Sequence, residues 1–276
     1  MRAIELVSTW PVPNAAAAVV AADGQVLATF GDTRRSFLLA SLSKMLTAWA
    51  VLVAVEEELL ALDDPVGQPG CTLRHLLAHA GGYPFDGVDP IAAPARRRIY
   101  SNTGIELAAD AVTERADMPF AEYLCEAVLE PLQMVDARLA GSPAHAVHAS
   151  AEDVGRFLAE VQRPVLVGRA IAAEAVRPQF ADLAGIVPGV GRFDPCPWGL
   201  GFEIRGEKSP HWTGRRNSPS THGHFGGAGT IAWVDPAAGA ALVALTDRQF
   251  DDWSVQAMRC WRALSDAVVD ELTSTS

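Results

Sequence analysis

Three short clusters in this chain carry side chains able to do chemistry. The first is Ser41-Leu42-Ser43-Lys44. On a helix, residues i and i+3 share a face, so Ser41 and Lys44 can touch while Ser43 points elsewhere. A lysine buried there can be neutral and accept the serine proton, which makes Ser41 a candidate nucleophile and Lys44 a candidate base. The helix N-terminus lends positive potential to a developing alkoxide or oxyanion. The second cluster is Tyr100-Ser101-Asn102. In an extended approach to a helix, Tyr100 and Asn102 point to the same side. A tyrosine beside a lysine can shuttle protons, and an asparagine can hold a lysine or a substrate amide. The third is His224-Phe225-Gly226-Gly227, directly before Ala228-Gly229-Thr230. Glycines inside a strand signal close backbone approach, so a substrate could lie along this strand and give its carbonyl to a backbone N–H. Taken singly, each cluster has a plain alternative: a capping serine before an exposed lysine, a loop tyrosine packing its ring, and an edge strand loosened by glycine.

Other polar groups say less. His75 and His79 stand at i, i+4 and His222 and His224 at i, i+2, spacings a metal ion can use. No glutamate follows His75 as in His-Glu-x-x-His, and neither pair is taken as a metal site. Arg96-Arg97-Arg98 reads as a solvated face. Cys71, Cys125, Cys196 and Cys260 lie far apart, form no Cys-x-x-Cys and read as reduced, mostly buried thiols. The basic residues are two lysines, Lys44 and Lys208, and twenty arginines. Lysine can lose its proton in a buried site and arginine cannot, which returns attention to Lys44.

These clusters need elements to hold them. The 276 residues are 49% hydrophobic and 20% charged, enough to bury the core of one or two domains. A net charge of −11 lacks the basic surplus that nucleic acid demands and weakly disfavours very anionic substrates. The longest apolar runs, Ala15–Ala22 and Ala48–Val55, are far shorter than the roughly 20 residues of a membrane span. Ala15–Ala22 precedes the turn pair Asp23-Gly24 and reads as a buried strand rather than a signal-peptide core, so the expected location is cytoplasmic. Strands are expected at 15–23 and 25–30, then a buried helix over about 41–58. Shorter helices follow at 72–80, 103–115, 120–130 and 150–161, with Thr103/Glu106 and Ser150/Asp153 spaced as caps. Strands return at 198–204, 222–227, 230–235 and 240–246, and an amphipathic helix over 251–272 closes the chain. Strands at both ends with helices between predict an α+β fold. Its antiparallel sheet has about five to six strands, is flanked by terminal helices and carries an inserted, mostly helical domain.

In this order and on this frame, the three clusters resemble the serine β-lactamase and penicillin-recognising enzyme superfamily. The closer likeness is to its class C β-lactamase-like branch, which includes esterases, D-aminopeptidases and D,D-carboxypeptidases. That branch pairs a Ser-x-x-Lys with a Tyr-x-Asn and a Lys/His-x-Gly. The stretch Thr72-Leu73-Arg74-His75-Leu76-Leu77-Ala78-His79-Ala80-Gly81-Gly82, the segment Ser150-Ala151-Glu152-Asp153-Val154 and Trp198-Gly199-Leu200-Gly201-Phe202 resemble further family segments. The likeness extends from about Ala15 to Leu272. It implies that 1–62 and 192–276 form the sheet and terminal helices, that 63–191 is the insertion, and that the active site lies at their interface. It implies Ser41 as nucleophile, Lys44 as proton acceptor or electrostatic helper, and Tyr100 as second acid/base for leaving group and deacylating water. Asn102 would orient Lys44 or the substrate, His224 and Gly226 would line the substrate strand, and the Ser41 and Gly227 N–H groups would form the oxyanion hole. The choice of Lys44 or Tyr100 as acylation base stays open at this point. Two departures matter: His-Phe-Gly replaces the Lys-Thr-Gly of true β-lactamases, and the insert is short with no export signal. Both shift the expectation towards an intracellular serine hydrolase forming an acyl-enzyme on Ser41, an esterase or amidase for small acyl substrates, without metal or cofactor. The alternatives are a β-lactamase or D-amino-acid peptidase, a histidine-based metallohydrolase, or a non-catalytic ligand-binding or scaffold homologue.

Overall fold

In a computed structural model, which describes residues 1–274, the first apolar run folds as strand β1 (Ala15–Ala21), and the Asp23-Gly24 turn returns the chain as β2 (Val26–Phe30). Gly24 has φ of +87°, which a glycine adopts without steric cost, and its N–H meets the Ala21 carbonyl at 3.0 Å. Short strands follow: β3 (Phe37–Leu38), β4 (Arg138–Leu139), β5 (Val147–Ala149), β6 (Gly185–Val187), β7 (Gly191–Phe193) and β8 (Glu203–Ile204). The chain then makes β9 (His222–Gly226), β10 (Thr230–Asp235) and β11 (Ala240–Thr246). The α-helices are α1 (Ser43–Glu56), α2 (Leu73–Leu77), α3 (Asn102–Ala116), α4 (Phe120–Leu124), α5 (Ala151–Gln162), α6 (Arg169–Ala175) and α7 (Ser254–Ser274).

The main sheet has six strands in the order β2-β1-β11-β10-β9-β8, and every neighbouring pair is antiparallel. Ala15 stands opposite Thr246, so the two ends of the chain meet at the sheet's centre. Side chains alternate across a strand, and both faces of this sheet are covered. Ala16, Ala18 and Val20 face a core built with α1 and α5, while Ala17 and Val19 face a second core built with α7 and the N-terminal 3₁₀ turn Ala3–Thr9. Burial on both faces explains why β1 reads as an unbroken apolar run. Helix α1 is buried nearly all round and runs through the first core, where Trp49 packs edge-on against Phe157 and Phe202.

Several local expectations need correction. The segment 198–204 is a strand only at Glu203–Ile204; Gly201 has φ of +82°, and a Cβ there would meet the Ala48 Cβ at 2.2 Å. The stretch is a tight turn pressed against α1. The first helix begins at Ser43, with Ser41 in the preceding 3₁₀ turn Ala40–Leu42. The middle of the chain carries short strands among its helices, and the helix expected over 120–130 passes from α4 into a π turn at Cys125–Leu129. Helix α2 ends at Leu77, short of Ala80. The cap of α3 is Ser101, whose Oγ accepts the Gly104 N–H, rather than Thr103. Ser150 and Asp153 do form the expected capping box on α5. Arg98 is buried and donates to the carbonyls of Ala78, Gln179, Phe180 and Cys196, so the arginine triplet is not simply a solvated face.

Candidate active site

Ser41 sits in the 3₁₀ turn that leads into α1, after Ala40 at a left-handed φ of +48°. That conformation is uncommon for a residue with a Cβ and fixes the sharp entry into the helix. One turn on, Lys44 is fully buried, and its Nζ lies 3.2 Å from Ser41 Oγ. Nζ also donates to Asn102 Oδ1 at 2.7 Å and to the Ala144 carbonyl at 2.9 Å. Ser43 faces away, and its Oγ accepts the Val147 N–H at 3.0 Å. The i, i+3 spacing therefore separates a serine next to the lysine from one that ties down β5.

Ser101 is extended, which turns Tyr100 and Asn102 to one side at the start of α3. Asn102 is held at three points: its N–H on the Phe85 carbonyl, its Oδ1 on Lys44, and its Nδ2 on Asp86 Oδ1 at 2.9 Å. The Tyr100 ring packs beside Lys44, with Nζ 4.8 Å from its centroid. From β9, His224 donates its Nδ1–H to the Phe225 carbonyl at 2.6 Å, which leaves Nε2 to accept from the Tyr100 hydroxyl at 3.3 Å. Gly226 has a steric reason: a Cβ would stand 2.4 Å from the Leu39 carbonyl oxygen, so only glycine lets β9 close against the turn before Ser41. At Gly227 the same construction meets nothing within 4 Å. Among the described residues no acceptor engages the Ser41 or the Gly227 N–H. Two free N–H groups at this junction can receive an oxyanion.

Burial lowers Lys44 from 10.5 to about 7, against the opposing pull of the Glu106 and Asp86 carboxylates. At neutral pH a large fraction of Lys44 is thus an uncharged amine. Its two hydrogens match Asn102 and Ala144, and its lone pair is left for the Ser41 hydroxyl. Burial pushes the Tyr100 phenol well above its usual range, only partly offset by a hydrogen bond with Ser41, so Tyr100 is a phenol and not a phenolate. Burial and the neighbouring Lys44 lower His224 to about 4, so the strand presents a neutral imidazole.

Sequence reasoning missed the residues that hold this arrangement. Asp86 lies in an exposed loop without periodicity; the Ala144 carbonyl is anonymous in a sequence. Ser142 fixes that loop, donating to Glu106 Oε1 and accepting the Ala144 N–H. His79, buried with φ of +54°, accepts the Ser101 N–H on Nδ1 and packs its ring against Tyr100. His75 accepts the Thr72 N–H in the cap of α2 and stacks on Phe180. Among the described residues no cluster of three or more His, Cys, Asp or Glu is placed to hold a metal ion. All four cysteines are free thiols, and no described helix is long and apolar enough to cross a membrane.

The six-stranded antiparallel sheet, the helix starting within Ser-x-x-Lys and the facing Tyr-x-Asn define the serine β-lactamase and penicillin-recognising fold. A family model described as Beta-lactamase matches residues 10–265, and this chain belongs to that family. A β-lactamase from Mycobacterium bovis is 48% identical, with a TM-score of 0.95 over 98% of this chain and 99% of that one. Unliganded simvastatin synthase from Aspergillus terreus is 16% identical with a TM-score of 0.79, covering 97% of this chain and 96% of that one, a likeness of fold. Penicillin-binding protein 4* of Bacillus subtilis is 28% identical over 39% of this chain; the match spans 31% of that protein, about a third of its length.

Proposed function

We propose that the protein is a serine hydrolase that cleaves esters or amides of small acyl substrates through an acyl-enzyme on Ser41. The observation that carries this reading is the contact of a buried Lys44, lowered by burial to about 7, with Ser41 Oγ, its other hydrogen bonds being taken by Asn102 and Ala144. Lys44 takes the Ser41 proton as Oγ attacks the acyl carbon. The Ser41 and Gly227 N–H groups hold the oxyanion. Tyr100, oriented by His224, gives its proton to the departing alcohol or amine and regains one from Lys44. Water then enters, loses a proton to the same pair and releases the acid and free Ser41. In this reading 63–191 forms an inserted unit and the site lies at its junction with 1–62 and 192–276, although α5 packs on the sheet.

A second reading, β-lactam hydrolysis, is favoured by the name of the Mycobacterium bovis neighbour. Against it stands the neutral His224 where a cation would meet the β-lactam carboxylate. Of the two arginines in the loop before β9, Arg216 pairs its guanidinium with Asp270 at 3.1 Å and its N–H with Asp266, while Arg215 is exposed and is the cation this second reading would need. A fluorophosphonate should add one equivalent to the protein, mapped to Ser41 and lost in Ser41→Ala. An adduct on Ser43, or no adduct and no turnover across an acyl-ester panel, overturns the proposal.

A further inference from the structure

A cavity of about 400 Å³ opens on the outer side of Tyr100. Its apolar wall is unusually bare: Phe85 is 51% exposed, Ile91 57% and Ile186 59%. Phe85 stacks on the Tyr100 ring at 5.8 Å, so this wall and the site share Tyr100. Two cations stand on the same rim, Arg97 and Arg192. They come from different elements. Arg192 lies on β7 directly opposite Ile186 of β6, while the backbone of Arg98, next to Arg97, bonds the Ala184 carbonyl that leads into the same hairpin. Both guanidinium groups are exposed, and neither has an ion-pair or hydrogen-bond partner among the described residues. An apolar wall that runs from Tyr100 to two exposed arginines without a paired carboxylate stands out in a chain of net charge −11.

We propose that this groove takes a substrate chain that is apolar along its length and ends in a carboxylate, with Phe85, Ile91 and Ile186 covering the chain and Arg97 and Arg192 receiving the terminal charge. One carboxylate matches two exposed arginines, whereas a polyanion would meet the chain's negative surface elsewhere. The carboxylate is distant from the scissile bond, so it is not the one a β-lactam carries beside its ring. The proposal rests on the serine hydrolase reading above and names its substrate class.

The test uses two series of esters of matched length. In one, 4-nitrophenyl octanoate is compared with the mono-4-nitrophenyl ester of octanedioic acid; in the other, the carboxylate sits at the end of the alcohol. The readout is the kcat/KM ratio of charged to neutral ester, in the native protein, in Arg97→Gln/Arg192→Gln and in the control Arg96→Gln. Exposed ion pairs predict a ratio about three- to thirtyfold above that of the double variant, falling as salt is raised, with the control like the native protein. A preference in the acyl series seats the acyl chain in the groove, and one in the alcohol series seats the leaving group there. Turnover of neutral esters with no preference in either series overturns the groove proposal alone. Absence of all turnover overturns the hydrolase reading. The groove is then judged by calorimetric binding of monomethyl octanedioate, which must weaken in the double variant; equal binding by both proteins overturns it.

Discussion

The chain's only two lysines are both buried, and they sit in opposite surroundings. Lys44 faces an amide oxygen, a carbonyl and a serine hydroxyl, with Glu106 and Asp86 acting only from a distance. Lys208 is closed against Glu203 at 2.9 Å and against the carbonyls of Pro197 and Ile204. Glu203 in turn receives His211 and Trp212 and is held well below the usual carboxylate range despite its burial, chiefly by the Lys208 charge. The same residue type thus serves two ends. Buried among neutral acceptors, a lysine gives up its proton and can act as a base; buried against a carboxylate, it is a strut that joins the turn at 197–204 to the loop at 208–213.

The sharpest way to break this comparison is Lys44→Arg. Arginine keeps the charge but cannot become a base, so kcat/KM should fall about 10²- to 10⁴-fold, nearly as far as in Lys44→Ala. Retention of most turnover would mean that Lys44 only supplies charge and that Tyr100 is the base. Lys208→Met should act on the fold instead. It leaves the buried Glu203 without its main counter-charge, at a cost of about 3–5 kcal/mol in urea unfolding. Turnover per folded molecule should change far less than in Lys44→Arg; the reverse pattern would unite the two lysines in one function.

A third variant makes Lys44 resemble Lys208. Asn102→Asp places a carboxylate on Nζ, which favours the ammonium and should raise the Lys44 pKa by about one to three units. In the native protein the base form grows as pH rises, so kcat/KM should climb through a midpoint near 7 and level off above it. In Asn102→Asp that midpoint should move up by the same one to three units. A midpoint that stays put means another group titrates. The smallest effect is expected at the strand: His224→Lys/Phe225→Thr should move the ratio of β-lactam to neutral-ester turnover upward about ten- to a hundredfold, the worth of one charge-assisted hydrogen bond. Efficient β-lactam turnover by the native protein would place the carboxylate contact elsewhere.

What could be read from the sequence divides along the same line. Ser41, Lys44, Tyr100, Asn102 and His224 were legible because side-chain type and short spacing already restrict what they can do, and the structure brings them together. The six-stranded sheet followed from apolar runs punctuated by Asp23-Gly24 and Asp235–Gly239. Their supports were not legible. Asp86 acts from an irregular loop, Ala144 acts through its backbone, and the Glu203–Lys208 pair ties the segment 198–204, which reads as an ordinary strand, to a residue beyond its end. Arg98 hides in a run of three arginines, where only the extended backbone decides which one turns inward. Long-range backbone contacts leave no periodic mark for a sequence reading to find.

The pairing of β1 with β11 has a consequence for the protein's birth on the ribosome. Ser41 and Lys44 are made early, whereas His224, Gly227 and the strand that locks Ala15 opposite Thr246 are made late. At roughly 5–20 residues per second, on the order of ten to forty seconds separate Ser41 from Gly227. During that interval the nascent chain carries Ser41 and Lys44 without the Gly227 N–H or the His224 imidazole that meets Tyr100. The candidate site is therefore complete only after the closure of the sheet, the most non-local step of folding.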